Sequence, residues 1–218
     1  MLVRCRGATS AAGNVLRRLA ILAILGAGII SAYVPPGKAT AVEQKTLLEL
    51  VKGAELIFEG QVVASNVVPG ADGAMPRTCV TFDISDVIVG SHPDRSLVLC
   101  FLGGEVNGQR TVVTDMHYPA VGEHGIYLVE STKQPMVNPL IGWDQGRFLV
   151  ENDPVSGTPK MLTANRRPIQ RIVAAAGEAA IVGPGATALG VVSGNGPDMT
   201  GAMGREDFKT WLRAAHGR

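Results

Sequence analysis

The stretch Thr78–Gly90, TCVTFDISDVIVG, decides the fold. It is rich in β-branched residues, and Val80, Phe82 and Ile84 recur at every second position. A period of two puts those three side chains on one face of a strand. The turn SHPDR (91–95) follows, then SLVLCFLGG (96–104), in which Leu97, Leu99 and Phe101 share a face. The two runs read as paired strands with a common apolar side, and Cys79 and Cys100 fall on the opposite side of each. Two readings of these cysteines stay open: a disulfide, or two half-buried thiols. A bridge needs Cα atoms within about 7 Å, whereas a hairpin centred near His92 sets Cys79 opposite position 105.

Working outward, AELIFEGQVVAS (54–65) reads as a strand in which Gly60 marks a bulge or bend. VVPGADGAMP (67–76) is a loop with turn signals at Pro69-Gly70 and Asp72-Gly73. Downstream, GEVNGQRTVVTD (104–115) holds a tight Asn107-Gly108 turn and a short strand. GIYLVES (125–131) is another strand, and GRFLVEND (146–153) and KMLTA (160–164) form a hairpin across PVSGTP. Six or seven short strands at this spacing predict a sandwich or a small closed barrel.

Both ends differ from this middle. Glu43–Lys52 predicts a short helix with Leu47, Leu48 and Val51 on one stripe and Gly53 as its cap. Residues 174–204 are dominated by Ala and Gly and read as a flexible linker. Arg205–Ala215 predicts a helix with Phe208, Trp211 and Leu212 on one face, which either docks on the β-domain or meets a partner.

Residues 1–41 carry Arg4, Arg6, Arg17, Arg18 and Lys38 and no acid. The apolar run Leu19–Val34, the breaker Pro35-Pro36-Gly37 and the small-residue site Ala39-Thr40-Ala41 follow in order. That order is the pattern of a secretory signal peptide. Its 16-residue apolar run is shorter than the roughly 20 residues that span a bilayer. The chain is thus expected to be exported, to the periplasm or outside the cell. The alternative is a membrane anchor through residues 19–34. Removing the five basic residues of the leader from the 20 in the chain leaves 15 against 19 acidic residues, a net charge of −4. A mildly acidic domain with few aromatics disfavours nucleic acid, and after cleavage a membrane, as partners.

The chain of 218 residues contains no His-Glu-x-x-His, Walker, Gly-x-Ser-x-Gly or Cys-x-x-Cys pattern, so no cofactor and no metal is expected. His117 and His124 are seven apart, with Asp115 and Glu123 nearby, a spacing that matches no compact zinc motif. Glu105 and Glu123 are the best candidates for a carboxylate pair, but nothing in the sequence holds them together. The segments GGEVNG (103–108), MHYPAVGEHGIYLV (116–129) and PLIGWDQGRFLV (139–150), with the Asp153–Pro159 turn, are more specified than packing requires. Trp143, one of two tryptophans, is either a plug or an exposed anchor.

In combination these segments resemble a group of uncharacterised bacterial secreted proteins with a small β-barrel. The residues that carry the likeness are AELIFEGQVV, VTFDISDVIVG, LGGEVNG, P-x-VGE-x-GIYLV and IGW-x-QGRF, roughly Glu43 to Thr163. That barrel is distantly similar to the OB-like netrin and tissue-inhibitor-of-metalloproteinase modules. Protease inhibition does not carry over, because those inhibitors chelate zinc through an N-terminal cysteine and the mature chain here would start at Val42. The resemblance implies a mainly β, OB-like (netrin-like) barrel over 42–173. A short helix precedes it, and after the linker 174–204 a C-terminal helix occupies 205–218. The expected function is an exported, non-enzymatic module that binds an unidentified protein or small ligand. Its contact residues are expected among Gly103, Gly104, Glu105, His117, His124 and Trp143. The alternatives are an exported enzyme of unrecognised type and a membrane-anchored envelope protein.

Overall fold

The computed structural model describes residues 42–71, 74–174, 181–183 and 185–217. The leader expected over 1–41 lies outside them. Among the described residues no helix is long and apolar enough to cross a membrane.

The described residues open with β1 (Val42–Glu43) and α1 (Leu47–Gly53). The helix starts later than its periodicity suggests because Thr46 and Glu49 form a capping box: Thr46 Oγ1 accepts from the Glu49 amide at 3.1 Å and Glu49 Oε2 from the Thr46 amide at 2.7 Å. Leu47, Leu50 and Val51 are the buried stripe, with Leu50 in the place expected for Leu48. Then come β2 (Leu56–Val68), β3 (Arg77–Val89), β4 (Ser96–Leu102), the hairpin β5 (Gly104–Val106) and β6 (Gln109–Thr111), and β7 (His124–Val129). A 3-10 turn at Trp143–Gly146 leads into β8 (Arg147–Asn152) and β9 (Pro159–Thr163). The chain ends with β10 (Ile169–Ile172), β11 (Ile181–Val182), β12 (Val191–Ser193) and α2 (Arg205–His216).

The fold is mainly β, with one antiparallel six-stranded sheet in the order β4-β3-β2-β7-β8-β9. The expected closed barrel is corrected here: β4 and β9 are separate edges, and the sheet does not close. The physical reason lies in the burial pattern. A small barrel has one interior, so alternate residues face water. Here both sets are buried on the central strands. Ile57, Ile126, Leu128 and Phe148 lie against Leu50, Val51, Phe208 and Leu212 of the two helices. Leu56, Phe58, Tyr127 and Val129 face a second core with Val80, Phe82, Leu97, Leu99 and Phe101. The outer edge of β9 is taken by Met203–Gly204 and Pro168 rather than by β4. Three register shifts between β2 and β3 bend those two long strands around the second core.

The inward parity of Val80, Phe82, Ile84, Leu97, Leu99 and Phe101 is as the alternation predicts. Cys79 and Cys100 are direct cross-strand partners and form a disulfide, with Cα atoms 4.0 Å apart. The register obstacle disappears because β3 runs on to Val89 along β2, and the pairing with β4 ends at Asp83↔Ser96. The hairpin is therefore centred between Val89 and Gly90 rather than at His92.

The segment 174–204, expected as a flexible linker, is tied into the fold where it is described. Strand β11 pairs with β1 and β12 with β10. The Met203 amide donates to Ile169 O at 2.6 Å, and Met203 O accepts from Met161 of β9 at 3.0 Å. Helix α2 then docks on the sheet, with the Phe208 and Phe148 rings 4.9 Å apart.

Candidate functional site

After β7 the chain turns sharply to enter β8. Gly142 and Trp143 both take left-handed backbone, at φ 65° and 60°. At Gly142 a side chain would meet Leu50 Cδ2 at 2.8 Å, so glycine is required there. At Trp143 a bulky L-residue occupies a conformation that costs of order 1–2 kcal/mol. The turn sends Asp144 and Gln145 inward and leaves Trp143 half-buried. Gln145 accepts from the Lys45 amide at 2.9 Å and donates to Glu43 O at 3.0 Å, fastening the β1 strand.

Asp144 is the centre of a charge chain. Its Oδ2 accepts from the Gly185 amide at 2.9 Å and lies 2.8 Å from His117 Nδ1. Its Oδ1 is 3.7 Å from Arg147 Nη1. Arg147 in turn grips Glu123, with Nε 2.8 Å from Oε1 and Nη2 on Oε2. Tyr127 donates to Glu123 Oε1 at 3.0 Å. Burial opposes the Arg147 charge, but the Glu123 and Asp144 carboxylates outweigh it and raise its pKa. Burial, then the adjacent Glu123 charge, push the Tyr127 phenol far above its usual range, so it stays a donor.

A carboxylate oxygen accepts, so the Asp144 contact places a ring proton on His117 Nδ1. That side chain is 54% exposed. Trp143 and Asp144 border an open cleft together with Val42, Asp115, Gly183 and Gly185. Its inner space is about 10 Å³, room for one water rather than for a buried substrate. A ligand here would lie across the rim.

His124 goes elsewhere. Successive residues of a strand face opposite sides, and His124 points to the helix face. Its Nε2 is 2.9 Å from Glu59 Oε1. Glu59 is 3% exposed and also accepts from Lys209 Nζ at 2.8 Å, with Arg205 Nη1 at 3.4 Å. Lys209 Nζ reaches Asp86 Oδ2 at 2.6 Å, and Arg213 Nη2 meets the same oxygen at 2.9 Å. Burial works to raise the Glu59 pKa, yet the His124, Lys209 and Arg205 contacts win and bring it down to about 2. This cluster clamps α2 onto β2 and β3.

The remaining expected contact residues have local explanations. A side chain at Gly103 (φ 102°) would strike Tyr118 Oη at 2.7 Å, and one at Gly104 would strike Val67 Cγ1 at 2.6 Å. These glycines let the β5–β6 hairpin fold back beside β2. Glu105 lies exposed on that hairpin, opposite Arg110. Among the described residues, Glu105, Glu123 and His124 make no hydrogen bond or ion pair with His117. The structure joins His117 to Glu123 only through Asp144 and Arg147.

Asp144, Arg147, Glu59 and Lys209 were missed by the sequence reading. A signal existed for two of them: Glu59 has the parity of Ile57, and Lys209 sits on the stripe of Phe208 and Leu212. A charge on an apolar face calls for a buried partner. Among the described residues no three potential ligand side chains gather as a metal site. Comparison with known proteins finds no matching family model, no matching curated protein and no matching solved structure.

Proposed function

We propose that the chain is an exported, non-enzymatic binding module. It takes an unidentified protein or small ligand at the rim formed by Trp143 and His117. The observation that carries this reading is the left-handed backbone of Trp143, a large aromatic followed directly by the Asp144 that holds His117. Strain of this kind persists where the surroundings impose it, and it concentrates at binding sites. Aromatic side chains on short turns are efficient anchors, since they offer large contact area at little entropy cost. Export is supported by the leader pattern of residues 1–41 and by the Cys79–Cys100 disulfide, which suits an oxidising compartment.

The test is affinity capture from the compartment that receives the protein, with wild type and Trp143→Ala side by side. Partners captured by wild type and lost from a folded Trp143→Ala support the reading. Identical partner lists overturn it. Intact mass tests export: a chain beginning at Val42 is expected, and a full-length mass refutes cleavage. One observation favours a second, enzymatic reading. Asp144 holds Nδ1 of His117 and leaves Nε2 outward, as a general base requires. A reaction abolished in His117→Gln while partner capture survives would support that reading instead.

A further inference from the structure

Two arginines of this chain grip a carboxylate through the Nε and Nη2 edge of the guanidinium. Arg95 holds Asp83 that way, with Nε 2.6 Å from Oδ1 and Nη2 3.0 Å from Oδ2, and Arg147 holds Glu123. Arg77, at the start of β3, uses its other nitrogen. Its Nη1 donates to Cys100 O and to Met136 O, each at 2.8 Å. Among the described residues its Nε and Nη2 have no partner, and no acid lies within ion-pair range. Arg77 borders an open cleft of about 250 Å³ between the β4 edge and residues 131–139, together with Val98, Cys100 and Lys133. No acidic side chain among the described residues lines it.

The walls of the cleft are fixed by bonds that leave its interior unused. The Glu130 amide donates to Pro139 O and the Leu102 amide to Val137 O, both at 2.9 Å. Ser131 Oγ accepts from the Lys133 and Gln134 amides at 3.2 and 3.3 Å, and Glu55 takes the Thr132 hydroxyl. The Leu102 bond also sets the direction of the β4 edge. That amide points away from β3, and alternation turns the Cys100 and Val98 amides and the Val98 carbonyl the same way, into the cleft. Among the described residues these three groups have no partner. Cys100 O, which faces the same side, is the group that Arg77 takes.

We infer that this cleft binds the carboxylate of a small N-acylated amino acid, the group that also ends a peptide chain. The carboxylate takes the open edge of Arg77 and the Cys100 amide, and Lys133 adds a second positive charge on the cleft wall. The N–H next to the carboxylate donates to Val98 O. A single residue laid parallel to β4 beside Leu99 makes both bonds, since in parallel pairing it donates to the residue before and accepts from the residue after. Past Cys100 the edge is closed by Val137, so the site stops where a chain stops. The Val98 carbonyl, an acceptor, disfavours an anion without a donor beside its charge, such as phosphate. The cleft shares no lining residue with the one bordered by Trp143, so the inference stands apart from the function proposed there.

Titration of the isotope-labelled protein with N-acetylglycine at constant ionic strength, followed by NMR, tests this. The Cys100 and Val98 amides and the Arg77 Nε–H should shift saturably, with a Kd of about 1 mM. Acetate, which lacks the N–H for Val98 O, should bind about fivefold more weakly, and inorganic phosphate no better than acetate. Arg77→Lys keeps the charge and loses the planar edge, and should weaken binding about tenfold. Lys133→Gln removes only the second charge and should weaken it about threefold. Its side chain carries none of the wall bonds, so this variant keeps the test open if circular dichroism shows that Arg77→Lys disturbs the fold. The inference is overturned by any of three results: no saturable shift at Cys100 and Arg77, acetate or phosphate binding as tightly as N-acetylglycine, or an affinity unchanged in both variants.

Discussion

His117 and His124 are seven residues apart, and each rests on a buried carboxylate, yet they belong to different machines. His124 meets Glu59, which Lys209 and Arg205 also hold. Its acid is saturated with cations and serves to seat α2. His117 meets Asp144, whose Arg147 contact is long because Arg147 is committed to Glu123. Its side chain is 54% exposed, against 36% for His124, and the carboxylate that holds it directly follows a tryptophan on strained backbone. The same residue pair is a joint where cations crowd it and a presented group where they do not.

The comparison can be broken by removing the charge that holds each cluster together. Arg147→Met leaves Glu123 and Asp144 buried without their cation, and should cost about 3 kcal/mol or more in urea unfolding. A loss under 1 kcal/mol would mean that the Asp144 side is as solvated as a surface pair. Glu59→Gln should cost less, about 2 kcal/mol, because Lys209 keeps Asp86 as a partner. It should also change the acid limb. The folded Glu59 pKa of about 2 lies below its unfolded value, so its contribution is fully present above about pH 4.5 and lost as pH falls toward 2. Wild type should lose stability across that window more steeply than Glu59→Gln. Parallel curves would show that Glu59 does not gain from its cations.

Smaller effects sharpen the contrast. His124→Gln should lower stability by about 1 kcal/mol and His117→Gln by about 0.5 kcal/mol, since the second ring is mostly in water. Their order by thermal unfolding is the informative result, and the reverse order would contradict the assignment of joint and rim. Trp143→Gly should have the smallest effect on stability. Release of left-handed strain, about 1 kcal/mol, offsets the half-buried ring that is lost. Partner capture should nevertheless disappear. A strongly destabilised Trp143→Gly would make the residue a plug of the fold rather than an anchor.

Much of the fold was legible because it is local. Period-two alternation located β3 and β4 and assigned their inner faces, and Asn107-Gly108 marked the hairpin turn. Of the site, Trp143 and His117 were visible as unusual residues in well-specified loops. Their supports were not, since Asp144 and His117 are 27 residues apart and Lys209 and Glu59 are 150 apart. No short-range pattern links such positions.

By itself the sequence determined the strands of the six-stranded sheet, the helices that flank it and the shared side of Cys79 and Cys100, because backbone sterics and apolar alternation act within a few residues. Only the tertiary structure decided the register that brings those cysteines opposite each other, the open sheet in place of a barrel, and the partner of each buried charge. Register depends on where β3 leaves β4 to follow β2. Closure depends on which segments take the edge of β9, here Met203–Gly204 and Pro168, and each charge on cations supplied from distant segments.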